Sequence, residues 1–340
     1  MQRHSKPSRA HQHRRHRITR PLASACVAGA LLCGLATPAH AGLFDFLSQP
    51  KNDTATQYPI VMVHGLFGFG NALGVVDYFW GIPGDLRKGG AKVYIAEVSS
   101  VSSNEVRGEQ LLAQINHIMA VTGARKVNII AHSQGGTTAR YVTAVAPEKV
   151  ASLTTVGAPH KGSPLGDLVT QVTDGLAPEG SPLRGIVVQI VSAIGRVMDT
   201  VVGKPGPATS DPLGALRDNA TPAQLVFNAK FPEGLPPTRC GTNGAAQAKG
   251  VRYYSWVGNK AVTNIVDPFD WLTSVVQLIY KEPNDGINDA CTQRLGTVVG
   301  EYAWNHFDEI NQLAGLRGLF TPDPVGVYHA HVARLKQAGL

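Results

Sequence analysis

Short apolar runs alternate along this chain with longer stretches whose apolar residues recur at helical spacing. Tyr58 to Val63 is one such run and stops at His64-Gly65, and Val127 to Ala131 and Val150 to Val156 are two more. Uninterrupted apolar runs of this length predict strands buried on both faces. Ala91 to Ala96 alternates after Gly89-Gly90 and predicts a further strand. Between the runs, Gly108 to Ala120 carries Leu111, Leu112, Ile115 and Ile118 on one helical face, and Gly135 to Ala146 predicts another helix. Strands alternating with helices through short connections imply an α/β class: a mostly parallel central sheet covered by helices on both faces. No internal repeat interrupts this order, and residues 42–340 read as a single domain.

The middle of the chain departs from the pattern. Residues 162–220 are rich in Gly, Pro and Ser around an apolar run, Ile186 to Ile194, followed by Val197, Met198, Val201 and Val202. Gln189, Arg196 and Asp199 interrupt it, so it is no membrane span. Two readings fit: a buried core helix, or a mobile lid whose apolar face covers a site.

The ends of the pattern alter the charge balance. Residues 1–20 hold Arg3, Lys6, Arg9, Arg14, Arg15, Arg17 and Arg20 with no acid, an apolar stretch runs from Leu22 to Ala36, and Pro38-Ala39-His40-Ala41 follows. Together these read as a secretory signal peptide, residues 1–41, cleaved after Ala41. The apolar stretch is short for a span. Arg14-Arg15 leaves a twin-arginine route as a second reading. The whole chain has 31 Lys+Arg against 24 Asp+Glu. Seven basic and no acidic residues lie in 1–41, which leaves 31 − 7 = 24 against 24. With no net charge on the remainder, nucleic acid is excluded as a partner. Of four cysteines, Cys26 and Cys33 belong to the leader. Cys240 and Cys291 remain and in an exported protein form one disulfide, closing a loop with a chain-entropy effect of about 4 kcal/mol.

The chemistry enters at Ala131-His132-Ser133-Gln134-Gly135, between a strand and a helix. A serine centred in small-x-Ser-x-Gly at such a turn is a nucleophile elbow, which lifts the hydroxyl above the sheet edge. In an α/β-hydrolase the acid and then the histidine follow the serine in chain order. His306, His329 and His331 come late enough. His329 and His331 fall in a terminal helix, two positions apart, and cannot share a face. His306 follows the strand-like Val298 to Trp304 and is the candidate base. Asp285, in Asn284-Asp285-Gly286, and Asp289 both qualify as the acid, with turn chemistry favouring Asp285. His64-Gly65-Leu66-Phe67-Gly68 after the first strand suits an oxyanion loop, with backbone N–H donors at Leu66 and Gln134.

These segments, with Arg107-Gly108-Glu109-Gln110-Leu111-Leu112, Ala158-Pro159-His160-Lys161-Gly162-Ser163 and Trp304 to Gln312, resemble the bacterial true lipases of the Pseudomonas/Burkholderia type. These are secreted triacylglycerol lipases, and the resemblance runs from Tyr58 to the C-terminus. It implies the α/β-hydrolase fold with a helical lid opening at a lipid interface, and Asp285 as the acid. It also supports the Cys240–Cys291 bridge. It implies one structural calcium ion held by the carboxylates of Asp267 and Asp308 and the backbone carbonyls of Gln312 and Leu316. Its partners would be acylglycerol at an interface, a lipase-specific foldase and the secretion machinery. The short Asn259–Asp267 connection is similar to the Pseudomonas-type members. Departures are Ala131 at the first small position and Phe67 and Phe69 in the oxyanion loop, which bear on acyl-chain preference. A short-chain esterase or polyester depolymerase would use the same triad. A catalytically inactive lipid-binding protein of this fold is the alternative of another class.

Overall fold

The computed structural model describes residues 52–340 apart from 67, 69, 70, 73–75, 177, 179, 183, 186 and 188–211. The leader, Phe67, Phe69 and, Val187 excepted, the apolar residues from 186 to 202 lie outside the described residues.

In chain order the elements are β1 (Ile60–Val63), β2 (Asn71–Ala72), β3 (Val76–Asp77), α1 (Ile82–Lys88), β4 (Val93–Ala96), α2 (Asn104–Thr122), β5 (Val127–His132), α3 (Gln134–Val145) and β6 (Val150–Val156). There follow α4 (Pro164–Thr173), α5 (Pro212–Asp218), α6 (Thr221–Lys230), β7 (Gln247–Ala248), β8 (Val251–Gly258), α7 (Pro268–Val276), β9 (Thr297–Tyr302) and α8 (Pro324–Gln337). The main sheet runs β4-β1-β5-β6-β8, all parallel. Beyond β8, two-residue β7 pairs antiparallel with its start and β9 pairs parallel with its end. β2 and β3 form a separate small hairpin.

The apolar runs are strands because both of their faces are covered. In β1, Ile60 and Met62 face a core with Phe79, Leu86, Trp256, Trp304 and Tyr328, while Val61 and Val63 face one with Leu111, Ile115, Ile129 and Val142. Every residue of β1, β5 and β6 is buried. α1 and α8 cover the first side, α2 and α3 the second. The α2 helix starts four residues before the predicted Gly108, because Ser103 caps it by accepting from Val106 N–H. Gly108 then lets α2 lie against α3: a Cβ there would come within 2.3 Å of the Tyr141 ring.

A third apolar cluster sits outside the sheet. Leu165, Leu168 and Val169 of α4 pack with Leu216 of α5 and with Leu272 and Val276 of α7, and Leu66 and Phe307 join them. These extra helices make a cap-like insertion over the C-terminal ends of the strands.

Candidate active site

The turn from β5 into α3 places Ser133. Its φ of 55° and ψ of −132° are unusual for a residue with a side chain, and its N–H is held by Val156 O at 2.8 Å. Glycines supply the room this strained turn needs. A Cβ on Gly135 would meet the carbonyl oxygens of Val63 and His64 at 2.7 Å, and one on Gly65 would meet Ser133 Cβ at 2.6 Å. At the first small position Ala131 is buried within the strand, so a methyl group is accommodated there.

Behind β9, the loop from Trp304 brings His306 to the serine. His306 Nε2 lies 2.9 Å from Ser133 Oγ, and Nδ1 lies 2.8 Å from Asp285 Oδ2. Asp285 is fully buried and oriented by its own turn: Ile287 and Asn288 N–H donate to Oδ1 at 2.7 and 2.6 Å, and Gln293 Nε2 donates to Oδ2 at 3.1 Å. His306 N–H in turn donates to Asp285 O at 2.9 Å. Asp289 is engaged elsewhere, pairing with Arg239 at 2.6 Å beside the Cys240–Cys291 disulfide. His331 is buried against Thr154 and His329 bridges Asp53 and Asp85, so neither late alternative approaches the serine.

The oxyanion candidates, Leu66 and Gln134, flank the turn that carries Ser133. Leu66 follows Gly65, which is pressed on Ser133, and Gln134 opens α3, where first-turn N–H groups have no helical acceptor. Buried Arg107 ties this loop down, donating to His64 O at 2.6 Å, to Ser99 O at 2.5 Å and to Thr138 Oγ1 at 3.1 Å. A hydroxyl aligned with an imidazole that is itself aligned by a carboxylate can act as a nucleophile.

A family pattern for the alpha/beta hydrolase fold matches residues 58–173. A triacylglycerol lipase of Vibrio cholerae is 49% identical over 306 residues, covering 89% of this chain and 94% of that protein. The chain belongs to the bacterial lipase/esterase family of α/β-hydrolases. A triacylglycerol lipase of Burkholderia plantarii is 40% identical over 324 residues, covering 84% of this chain and 88% of its own. Among solved structures, a mature Bacillus licheniformis lipase superposes with a TM-score of 0.55 at 18% identity, covering 84% of this chain and 94% of that one.

In this α/β-hydrolase a polar network beneath the site escaped the sequence reading. His132, the residue before Ser133, is buried with its ring 4.5 Å from that of His306. Its Nδ1 meets Tyr78 Oη at 2.7 Å and its Nε2 meets Glu309 Oε2 at 3.0 Å. Burial first, and then the neighbouring His306, hold His132 well below the usual histidine range, so it is neutral. Burial and the charges of Asp285 and Asp308 push the Glu309 carboxyl well up. Gly157 and Gly258 make the pocket for it, since a Cβ on either would stand 1.9 or 2.3 Å from its oxygens. Tyr78 Oη also accepts from Gly65 N–H at 3.0 Å and so reaches the oxyanion loop. Glu309 was visible only as the residue three beyond His306, and nothing in its spacing marks it as buried.

His132, His306 and Glu309 present ligand atoms within 4.8 Å of one another and could hold a metal ion. His306 Nδ1 is already committed to Asp285, however, and two imidazoles suit a transition metal better than calcium. The carboxylates predicted as calcium ligands lie elsewhere. Asp267 precedes α7 and accepts from Phe269 N–H at 2.8 Å, and Asp308 Oδ2 accepts from Thr263 Oγ1 at 2.7 Å and Asn305 N–H at 3.1 Å. Both are buried, and among the described residues neither has a basic partner. Burial, with the nearby Asp270, raises Asp267 to about 6; burial, with Asp270 and Asp267, raises Asp308 to about 7. Asp308 Oδ1 is buried without a hydrogen-bond partner. Gln312 and Leu316 lie on the loop that follows, with Gln312 N–H held by Phe307 O at 2.9 Å.

Proposed function

We propose that this protein is a secreted triacylglycerol lipase in which Ser133, His306 and Asp285 form the catalytic triad. The observation that carries the proposal is the continuous hydrogen-bonded line from Asp285 Oδ2 through both ring nitrogens of His306 to Ser133 Oγ. The name borne by the Vibrio and Burkholderia relatives supports the substrate class. His306 Nε2 takes the Ser133 proton as Oγ attacks the ester carbonyl carbon. The backbone N–H groups of Leu66 and Gln134 receive the oxyanion, which then collapses with cleavage of the bond to the alcohol oxygen. His306 returns the proton to the departing alcohol. Water repeats the sequence on the acyl-serine and releases the fatty acid. Asp285 fixes the ring tautomer and stabilises the imidazolium throughout.

Asp267 and Asp308, with the carbonyls of Gln312 and Leu316, are the proposed holders of calcium. The fit rests on two neighbouring buried carboxylates with no basic partner among the described residues and on Asp308 Oδ1, which has no hydrogen-bond partner, a hard-oxygen set that suits this ion. The ion would supply positive charge that binds the His306 loop to the start of α7. Removal of residues 1–41 during export, passage through the secretion machinery and folding with a lipase-specific foldase belong to the same proposal and rest on the sequence resemblance. So does the reading of residues 162–220 as a lid.

The test uses protein refolded with calcium and foldase, assayed on emulsified long-chain triglyceride and on a soluble short-chain ester. Both should be hydrolysed, and Ser133→Ala should lower each rate at least about a thousand-fold. Turnover of the soluble ester alone would make the protein an esterase, and no Ser133-dependent turnover of either would refute the enzyme.

A further inference from the structure

Asp285, His306, Glu309 and His132 form one buried cluster next to Ser133. His306 Nδ1 lies 2.8 Å from Asp285 Oδ2 and 3.6 Å from Glu309 Oε2, and Glu309 Oε2 lies 3.0 Å from His132 Nε2. The ligand atoms of His132, His306 and Glu309 all fall within 4.8 Å of one another. Donors at the corners of a tetrahedron with metal bonds of about 2.0 Å stand about 3.3 Å apart. The contacts in the cluster bracket that spacing. Hydrogen bonds hold two of them, so a metal would compete with the protons there. Among the described residues neither carboxylate pairs with Lys or Arg. Glu309 Oε1 is buried without a hydrogen-bond partner.

We propose that zinc, a divalent ion of the transition series, binds at His132, His306, Asp285 and Glu309 and switches the site off. Two imidazoles favour zinc over calcium, and two ionised carboxylates match its charge, which leaves a buried set with no net charge. The second nitrogen of each ring already has a partner. His132 Nδ1 meets Tyr78 Oη at 2.7 Å, so the ring proton rests there once Nε2 takes the metal. His306 Nε2 meets Ser133 Oγ at 2.9 Å, and there the same shift has a different result. With metal on Nδ1, the proton of the neutral ring sits on Nε2, which donates to Oγ and has no lone pair for the serine proton. Asp285 is at the same time withdrawn from fixing the Nδ1–H tautomer. The metal-bound protein keeps its fold and loses its general base. The proposal rests on the triad reading above. It is separate from the proposed calcium site at Asp267 and Asp308, which uses neither imidazole.

His306 is the most exposed of the four, at 5%, so the metal enters past its ring and the protein is incubated with it before assay. Native protein receives zinc chloride with calcium in excess throughout, and turnover of a soluble short-chain ester is followed. The rate should fall at least about 10-fold as one equivalent binds, and chelation followed by calcium should restore it. Glu309→Gln and His132→Gln, each scored against its own metal-free rate, should need at least about 10-fold more zinc for the same loss. Binding is read without turnover through cobalt(II), whose tetrahedral complexes absorb visible light strongly and octahedral ones weakly. Native protein and Ser133→Ala should both give the intense spectrum, and Glu309→Gln should not. Should one variant fail to fold, the other variant and the native cobalt spectrum carry the decision. An unchanged rate with zinc, equal zinc sensitivity in native protein and variants, or a weak octahedral cobalt spectrum would overturn the inference. Absence of ester turnover in the metal-free native protein would strike the proposed function, while the cobalt spectrum would still decide the site.

Discussion

Asp285 receives two backbone N–H groups on Oδ1 and turns Oδ2 to His306, while Asp289, four residues on, is spent on Arg239. The two carboxylates should therefore respond differently to the same change. Asp285→Asn removes the acceptor that fixes the His306 tautomer and should lower kcat at least about 100-fold. The loss should fall short of that at Ser133, because Glu309 Oε2 lies 3.6 Å from the same ring nitrogen. Asp289→Asn should leave kcat within about twofold and shift the urea midpoint instead, since it unpairs Arg239. Equal kinetic losses would contradict the assignment. The turn residues Asn284-Asp285-Gly286 made a carboxylate on a loop readable, yet they could not separate these two acids, because the deciding partners His306 and Arg239 are remote in sequence. His132 was likewise hidden: its partners Tyr78 and Glu309 lie 54 and 177 positions away, and a buried polar contact leaves no periodic mark.

At the scale of elements, β1, β5 and β6 were legible because burial on both faces writes an unbroken apolar run, and the elbow because it needs small residues at fixed offsets. The start of α7 and the loop from Asp308 to Leu316 were legible as neighbours only through the family resemblance, not from spacing. Asp267 and Asp308 are 41 positions apart, and only the fold brings their charges together. Two buried carboxylates repel, a cost that the proposed calcium ion would relieve. Calcium should raise the unfolding temperature of the native protein by several degrees over that in chelator. Asp308→Asn should unfold in chelator no earlier than the native protein and gain nothing from calcium. An undiminished calcium response in that variant, followed by calorimetry, would remove Asp308 from the proposed metal site.

For the whole molecule, the cores on both sides of the sheet enclose histidines as neutral rings. Burial, with Arg107 nearby, lowers His64 to about 3, and burial, with Arg334 nearby, lowers His331 to about 3; His132 and His160 are also held well below their usual value. In the unfolded chain each would take a proton near pH 6.5. Because the folded values are depressed, their stabilisation is complete above about pH 6.5 and is lost as pH falls below it, by up to about 1.4 kcal/mol per pH unit for each ring. Asp267, Asp289, Asp308 and Glu309, all raised by burial, work in the opposite direction over much of the same window. His331→Gln removes one depressed imidazole and should therefore make the urea midpoint less sensitive to acid between about pH 6.5 and pH 4.5, and an unchanged profile in that variant would contradict a buried neutral ring there. The central claim is that this fold aims one serine, activated by His306, at an ester carbonyl. Intact-mass analysis after treatment with a p-nitrophenyl alkylphosphonate, followed by peptide mapping, tests it most directly. A single phosphonyl adduct on Ser133, absent in Ser133→Ala and formed far more slowly in His306→Ala, is the predicted result; no adduct, or one on another residue, would contradict it.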